Sequence, residues 1–256
     1  MIKGILRVLC STLLLISMIV LGISWDLSSS LNYNNVQSQA VNLFPIVDQT
    51  VNITQILDNK LSVIKDYCVS NSDFVFNYGG YVFETPCSSI NRGESAIIND
   101  TINNFIKGLY YKNYSCDYWK CFSNYSTSPF FLVSQTSEDY WSNLFRMSIV
   151  VSIILAGILF LLIEKKKNFP IVIGITTIVS SLPLLGIGKI ISGVSNKLVS
   201  EIVSLFFSQS NTIFITMMIA GIVMVFIGLI IELFDVEFKI YDLFSRGNKN
   251  DNNRRK

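Results

Sequence analysis

Thr212-Ile213-Phe214-Ile215-Thr216-Met217-Met218-Ile219-Ala220-Gly221-Ile222-Val223-Met224-Val225-Phe226-Ile227-Gly228-Leu229-Ile230-Ile231 is twenty residues without an acid or a base. A helix rises ~1.5 Å per residue and the hydrocarbon core of a bilayer is ~30 Å thick, so a run of this length crosses it once. Three more such runs precede it. Gly4 to Ser24 is apolar apart from Arg7 and a few hydroxyls, Met147 to Ile163 is charge-free over seventeen residues, and Pro170 to Gly188 over nineteen. The seventeen-residue run is at the short end; Asn143 to Phe145 extend it, with Arg146 snorkelling to the headgroups. The expected fold is therefore membrane α-helical, with transmembrane helices at 4–25, 142–163, 170–188 and 212–231.

Composition points the same way. Half of the 256 residues are hydrophobic and only 15% are charged, against about 25% in a soluble domain. So few charges cannot coat a water-facing surface of this size. A formal net charge of +2 lacks the basic footprint of a nucleic-acid binder. The chain has no histidine, which removes Ser-His-Asp and Cys-His nucleophiles, His metal ligands and a His pH switch.

Orientation follows from lysine and arginine beside the runs. Lys3 and Arg7 stand at the first, Lys165-Lys166-Lys167 fill the 164–169 loop, and Lys239, Arg246, Lys249, Arg254, Arg255 and Lys256 follow the fourth. Residues 26–141 carry eleven acids against six bases. Both termini, the 164–169 loop and the 232–256 tail are expected in the cytoplasm, with 26–141 and 189–211 outside. Trp25 and Trp141 then fall at the two outer span edges, where indoles favour the headgroup layer. The first run also fits a signal peptide cleaved after Ser24, with Gly22 and Ser24 as its small residues. Its apolar part, Val8 to Ile23, is sixteen residues, longer than the usual h-region of about 7–15, so a retained anchor is expected.

Residues 26–141 suffice for one compact domain. It holds Cys68, Cys87, Cys116 and Cys121, while Cys10 lies inside the first run. On the oxidising side of a membrane these four read as two disulfides, for which three connectivities exist. Cys68–Cys87 and Cys116–Cys121 are expected, because each pair brackets a compact local unit. Inside the first, Phe74 to Phe83 runs through aromatic and β-branched residues around Gly79-Gly80, a β-hairpin signature. Ile46, Ile53, Leu57, Leu61, Ile64 and Cys68 share one helical face, as do Ile98, Ile102, Phe105, Ile106 and Leu109. Pro129 to Val133 reads as a strand. Thr136 with Asp139 reads as a capping box opening the helix into the second span, so the adjacent Glu138 and Asp139 serve a helix N-terminus rather than acid–base chemistry. The result is a small disulfide-stapled α+β ectodomain between helices 1 and 2.

The domain also carries every Asn-x-Ser/Thr sequon, at Asn52, Asn99, Asn113 and Asn124, each a candidate glycan site. Tyr110, Tyr111, Tyr114, Tyr118, Trp119, Phe122 and Tyr125 crowd around the short Cys116–Cys121 loop. Tyr and Trp are favoured where one end of a ring is apolar and the other wet, which marks these residues as a candidate interaction surface; the same rings also suit the packing of a small core.

In the membrane region the last three runs hold no internal charge, which disfavours proton or ion coupling. Thr176, Thr177, Ser180 and Ser181, just before Pro183, form the most polar stretch; they would line a pore or satisfy their own helix and let neighbours approach. Ser148, Ser152 and Ala156, and Gly221 with Gly228, have small-residue spacing suited to close helix packing. Ile190, Val194, Leu198, Ile202 and Phe206 outline an amphipathic helix in 189–211, and the polar stretch from Asn248 to Lys256 is expected to be disordered.

No constellation of nucleophile, acid and base emerges, and no cofactor or metal is implied. The expectation is a non-enzymatic multi-pass protein of the plasma membrane. Its ectodomain binds a protein or glycan partner or a second copy of itself as a homo-oligomer, the lipid bilayer surrounds its helices, and nucleic acid is not a partner. The alternative is an oligomeric pore lined by the third-helix hydroxyls.

Overall fold

The computed structural model describes residues 2–39, 62–78, 81–123, 129–192 and 203–254. In chain order the elements are α1 (Ile2–Ser30), β1 (Asp73–Tyr78), β2 (Tyr81–Pro86), α2 (Glu94–Tyr110), α3 (Tyr118–Ser123), α4 (Gln135–Leu162), α5 (Phe169–Ser192) and α6 (Ser210–Arg254). Four helices are long and apolar enough to cross a membrane: Lys3–Ser30, Gln135–Leu162, Lys166–Gly186 and Val203–Phe234. The chain divides into two compact units. One comprises Met1–Ile23, Phe145–Gly186 and Ser210–Lys256, the other Ser24–Leu144 and Ile187–Gln209.

The first unit is helix packed on helix, and its outward surface is apolar: Val150, Ile153, Leu161, Ile219 and Phe226 are all exposed. Such a surface is unfavourable in water and neutral in lipid, where packing and polar contacts hold helices together instead. Both kinds are present. Ser17 and Ser152 share a hydroxyl–hydroxyl bond of 2.8 Å between α1 and α4. Nearer the chain start, the Arg7 guanidinium donates to the Leu162 carbonyl at 3.1 Å and to Glu164 at 3.0 Å. It thereby occupies a carbonyl that the last turn of α4 cannot bond internally. Cys10, Leu14, Leu159, Ile163 and Ile173 close over one another as an apolar cluster.

Between α5 and α6 the backbones themselves meet. A Cβ on Gly174 would stand 2.6 Å from the Gly221 carbonyl, and one on Gly228 3.0 Å from the Ile171 nitrogen. The spacing of Gly221 and Gly228 anticipates one side of this contact. Gly174 supplies the other. The end of α6 departs from expectation: the stretch from Asn248 continues the helix as far as Arg254 instead of standing free. No proline follows Thr212, so no backbone N–H is missing from the ladder.

The second unit is built on the hairpin. β1 and β2 pair antiparallel with Phe76 opposite Phe83 and Tyr78 opposite Tyr81, a register that leaves only Gly79 and Gly80 to connect them. Side chains alternate across a strand: Phe74, Phe76 and Phe83 pack onto the core, while Val75 and Val82 are exposed. The stack continues from Phe83 to Phe105 of α2 at 4.5 Å between centroids. Ile102, Phe105 and Ile106 are buried, as the helical stripe predicts, with Ile98 and Leu109 at the margin. Gly93 joins the turn Cys87–Arg92 to α2 at φ 97°, a left-handed conformation that glycine adopts without strain. The Cys68–Cys87 disulfide ties the chain ahead of β1 to the end of β2, with Cα atoms 5.3 Å apart. Of the 46–68 stripe, Ile64 is buried in this core and Ile46 to Leu61 lie outside the described residues.

Two expectations are corrected here. Pro129–Val133 is a turn of 3-10 helix, not a strand. Ser134 and Ser137 both donate their hydroxyls to the Phe131 carbonyl, at 2.6 and 2.9 Å, which curls the segment and buries Phe131. α4 begins at Gln135, and the Ser134 carbonyl accepts from the Ser137 and Glu138 amides. Thr136 is thus already inside the first turn, not the cap.

The segment after α5 also joins this unit. Leu205 and Phe206 pack into the core with Leu31 and Val36; Val194, Leu198 and Ile202 of the amphipathic stripe lie outside the described residues. A polar latch fixes the attachment. Asn35 Nδ2 donates to the Ser30 carbonyl at 2.7 Å and to Ser208 Oγ at 2.8 Å. Gln209 Nε2 donates to Asn35 Oδ1 at 3.0 Å, and the Gln209 amide donates to Ser30 Oγ at 3.1 Å. Ser30 in turn donates to Asp26, and both are fully buried.

Candidate interaction surface

The Cys116–Cys121 disulfide closes a loop of five residue steps, with Cα atoms 5.4 Å apart. Inside it α3 is under two turns long, too short to be stable alone. Its carbonyl–amide bond from Asp117 to Cys121 is 2.9 Å, and the disulfide holds that turn closed. Residues three apart share a face of such a turn. Tyr118 and Cys121 therefore point together and are buried, whereas Trp119 and Phe122 point away and are 61% and 58% exposed.

The buried side is well anchored. The Tyr118 ring lies flat on Tyr140 of α4, 4.3 Å apart and 6° from parallel, and packs against Phe131 and Trp141. Burial pushes the Tyr118 hydroxyl above the ordinary tyrosine pKa. Trp119 is exposed yet not loose: its indole Nε1 donates to the Tyr140 hydroxyl at 3.0 Å, and its ring meets Phe122 edge-on at 6.0 Å. Asp117 and Lys120, three residues apart, form an ion pair of 3.3 Å, both well exposed.

The seven aromatic residues singled out by sequence thus divide. Tyr110 is a core residue at 3% exposure. Its hydroxyl faces Glu138 at 3.4 Å, and its pKa is raised by burial first and the Glu138 charge second. Tyr114 is half-buried, edge-on to Phe131, with the Lys112 ammonium 5.8 Å over its ring. Tyr111 is exposed and leans on Tyr33 and Tyr110. Trp119 and Phe122 are the outward pair. Tyr125 lies outside the described residues. The bond from Trp119 to Tyr140 and the stacking of Tyr118 on it make Tyr140 part of the site, although the sequence marks it only as one tyrosine near a span edge.

Asn99 and Asn113 are exposed, whereas Asn52 and Asn124 lie outside the described residues. The two exposed sequons differ. Asn113 stands in irregular chain after α2, but Asn99 is helical and its Thr101 is fully buried. Thr101 donates to the Ile97 carbonyl at 2.7 Å and accepts from Thr85 at 2.6 Å.

In α5 the candidate pore hydroxyls turn back on their own helix. Thr176 and Thr177 donate to the carbonyls of Val172 and Ile173, and Ser180 and Ser181 to those of Thr177 and Ile178, all at 2.7–2.9 Å. Thr176, Ser180 and Ser181 are buried. Among the described residues no three His, Cys, Asp or Glu come within reach of one metal ion. A polar depression in the second unit is lined by Ser28, Ser29, Asn32, Asn34, Asn35 and Glu138. Its one ionisable side chain is the Glu138 carboxylate, which accepts from the Tyr110 hydroxyl. No protein-family model, curated protein or solved structure matches the chain.

Proposed function

We propose that the chain is a non-enzymatic multi-pass protein of the cell surface, with both termini in the cytoplasm and residues 26–141 outside. Its disulfide-stapled domain is a contact module that engages a protein, a glycan or another copy. The Trp119–Phe122 face carries this reading. Two large rings stand exposed on a helix too short to persist unaided, and a disulfide, a flat Tyr118–Tyr140 stack and an indole hydrogen bond hold them in one orientation. Pre-ordered aromatic groups lose little side-chain entropy on binding and are the usual anchors of interfaces. The basic 164–169 loop and tail against the acidic 26–141 segment support the orientation. The self-bonded hydroxyls of α5 favour helix packing over a pore lining.

The test joins topology and contact on intact cells expressing the full chain. A membrane-impermeant amine reagent labels Lys112 and Lys120 but not Lys165–Lys167 or Lys249. A photo-crosslinking residue in place of Phe122 captures a surface component, and Trp119→Ala abolishes the capture. Labelling of the 165–167 lysines alone, or capture indifferent to Trp119, refutes the proposal.

A further inference from the structure

We infer that Asn113 is a site of N-linked glycan attachment and that folding withholds the Asn99 sequon from the same modification. The inference rests on the proposed topology, in which residues 26–141 pass into the oxidising compartment where such glycans are added. The two disulfides of this domain call for the same compartment. In the reaction the side-chain amide nitrogen of asparagine displaces a lipid diphosphate from C1 of its oligosaccharide. A nitrogen–C1 bond forms, the bond from C1 to the diphosphate oxygen breaks, the amide nitrogen gives up one proton, and the lipid diphosphate leaves. The transferase reads the hydroxyl two residues on together with the amide, hence the motif Asn-x-Ser/Thr. Both groups must therefore face the enzyme at once.

The Asn99 sequon fails this requirement. In α2, residues two apart stand about 200° from one another around the helix, so Asn99 is exposed while Thr101 is fully buried. The Thr101 hydroxyl is committed to Ile97 and Thr85, and Asp100 accepts from Ser89 and Arg92. All four partners precede Asn99 in the chain, so they enter the compartment before it. Hairpins and helices form within about 10 μs, whereas a chain grows at about 5–20 residues per second. This local unit closes as it emerges.

The Asn113 sequon meets the requirement. Residues 112–114 are irregular chain, and Asn113 and Ser115 are exposed on either side of the half-buried Tyr114. That is the alternation of extended backbone, which turns residues two apart to one side. The groups that fix this stretch come later: Tyr114 packs edge-on against Phe131, and Cys116 is bonded to Cys121. The sequon thus reaches the transferase ahead of them.

The experiment expresses the full chain in cultured animal cells and reads occupancy at each sequon by peptide mass spectrometry, after peptide N-glycosidase has marked glycosylated asparagines in heavy-oxygen water. Occupancy at Asn113 exceeds that at Asn99 by about tenfold or more. Asn113→Gln lowers the apparent mass by one glycan, and Asn99→Gln leaves it unchanged. Synthetic peptides of 97–103 and 111–117 carry the same local sequences without the fold; offered to microsomes as free acceptors, they lose most of that preference. A bare Asn113, or an Asn99 equally occupied, overturns the inference. So does a preference as strong in the peptides as in the chain, since local sequence would then make the choice. Impermeant amine labelling of the same cells keeps the topology separate. Lys112 and Lys120 labelled beside a bare Asn113 leave the orientation standing and remove only the glycan site, whereas labelling of Lys165–Lys167 alone removes both.

Discussion

Replacing Gly174 by alanine tests the helix pairing of the first unit. The new Cβ would lie 2.6 Å from the Gly221 carbonyl oxygen, 2.7 Å from Val225 Cγ2 and 2.8 Å from the Val225 nitrogen. Close carbon–oxygen contacts in proteins lie at about 3.3 Å or more, so α5 and α6 must part by about 0.7 Å at this level. Two of the three obstacles are backbone, which no rotamer change relieves. Overfilling of this kind costs about 1–3 kcal/mol, and a gap of that size forfeits about a quarter to a half of each opposing dispersion contact. Gly157→Ala in α4 is the control, since nothing lies within 4 Å of its Cβ and alanine gains about 0.5–1 kcal/mol of helix propensity. The propensity gain is common to both, so the two variants should differ by the overfilling cost alone, about 1–3 kcal/mol or roughly 5- to 150-fold in the unfolding constant. Far-UV circular dichroism of the purified chain, unfolded reversibly by increasing dodecyl sulfate in mixed micelles, measures the difference. Equal stability of the two alanine variants would refute the close backbone approach, because the substitutions share their chemistry and differ only in what surrounds them.

Other perturbations separate the remaining parts. Cys68→Ser with Cys87→Ser opens a loop of nineteen steps and should destabilise the second unit by about 3 kcal/mol. The five-step Cys116–Cys121 loop should contribute about 2 by the same chain-entropy argument; hydrogen exchange of α2 reads the first loss and that of α3 the second. Thr101 donates to Ile97, so Thr85 donates to Thr101. Thr101→Val therefore strands a buried hydroxyl at about 1–3 kcal/mol, while Thr85→Val with Thr101→Val restores much of it; a double-mutant cycle in which the effects simply add contradicts this. Tyr110 has its pKa raised in the folded chain by burial and by Glu138. Its unfolded form thus loses the proton first, and stability is full below about pH 10 and falls as pH rises beyond it. Tyr110→Phe should flatten that alkaline loss in denaturant titrations between pH 8 and about pH 11; an unchanged slope assigns the loss to other groups.

The apolar helices were legible because length and absence of charge need no partner to be read. The hairpin was legible for a related reason: alternation at Phe74, Phe76 and Phe83 with Gly-Gly between states both the face and the turn. The polar contacts were not. Asn35 meets Ser208 and Gln209 more than 170 residues away, and nothing local to either segment specifies the other. Gly174 escaped notice in the same way, since a lone glycine declares close approach only when the facing glycine is known. The Pro129 segment misled because its aromatic and β-branched content suits a strand, while the serine hydroxyls that curl it bond to the Phe131 carbonyl instead.

At the aromatic cluster composition marks a neighbourhood, but helical phase decides which rings are buried and which exposed. Seven rings in sixteen residues suit a core and an interface equally well, and the structure buries some and exposes others. Within α3 the phase assigns Tyr118 and Cys121 to one side and Trp119 and Phe122 to the other. The disulfide is what makes that phase enforceable in so short a helix, because Cys121 lies on the buried side and is tied to Cys116 across the turn. Tyr140 then completes the arrangement from another element, stacking on the inward Tyr118 while accepting a bond from the outward Trp119. One residue of α4 thus fixes both faces of α3. Substituting Tyr140 with phenylalanine keeps the stack and removes only the bond to Trp119. Because that bond sets the orientation of the exposed rings, the variant should weaken the Trp119-dependent capture on cells while far-UV circular dichroism stays unchanged.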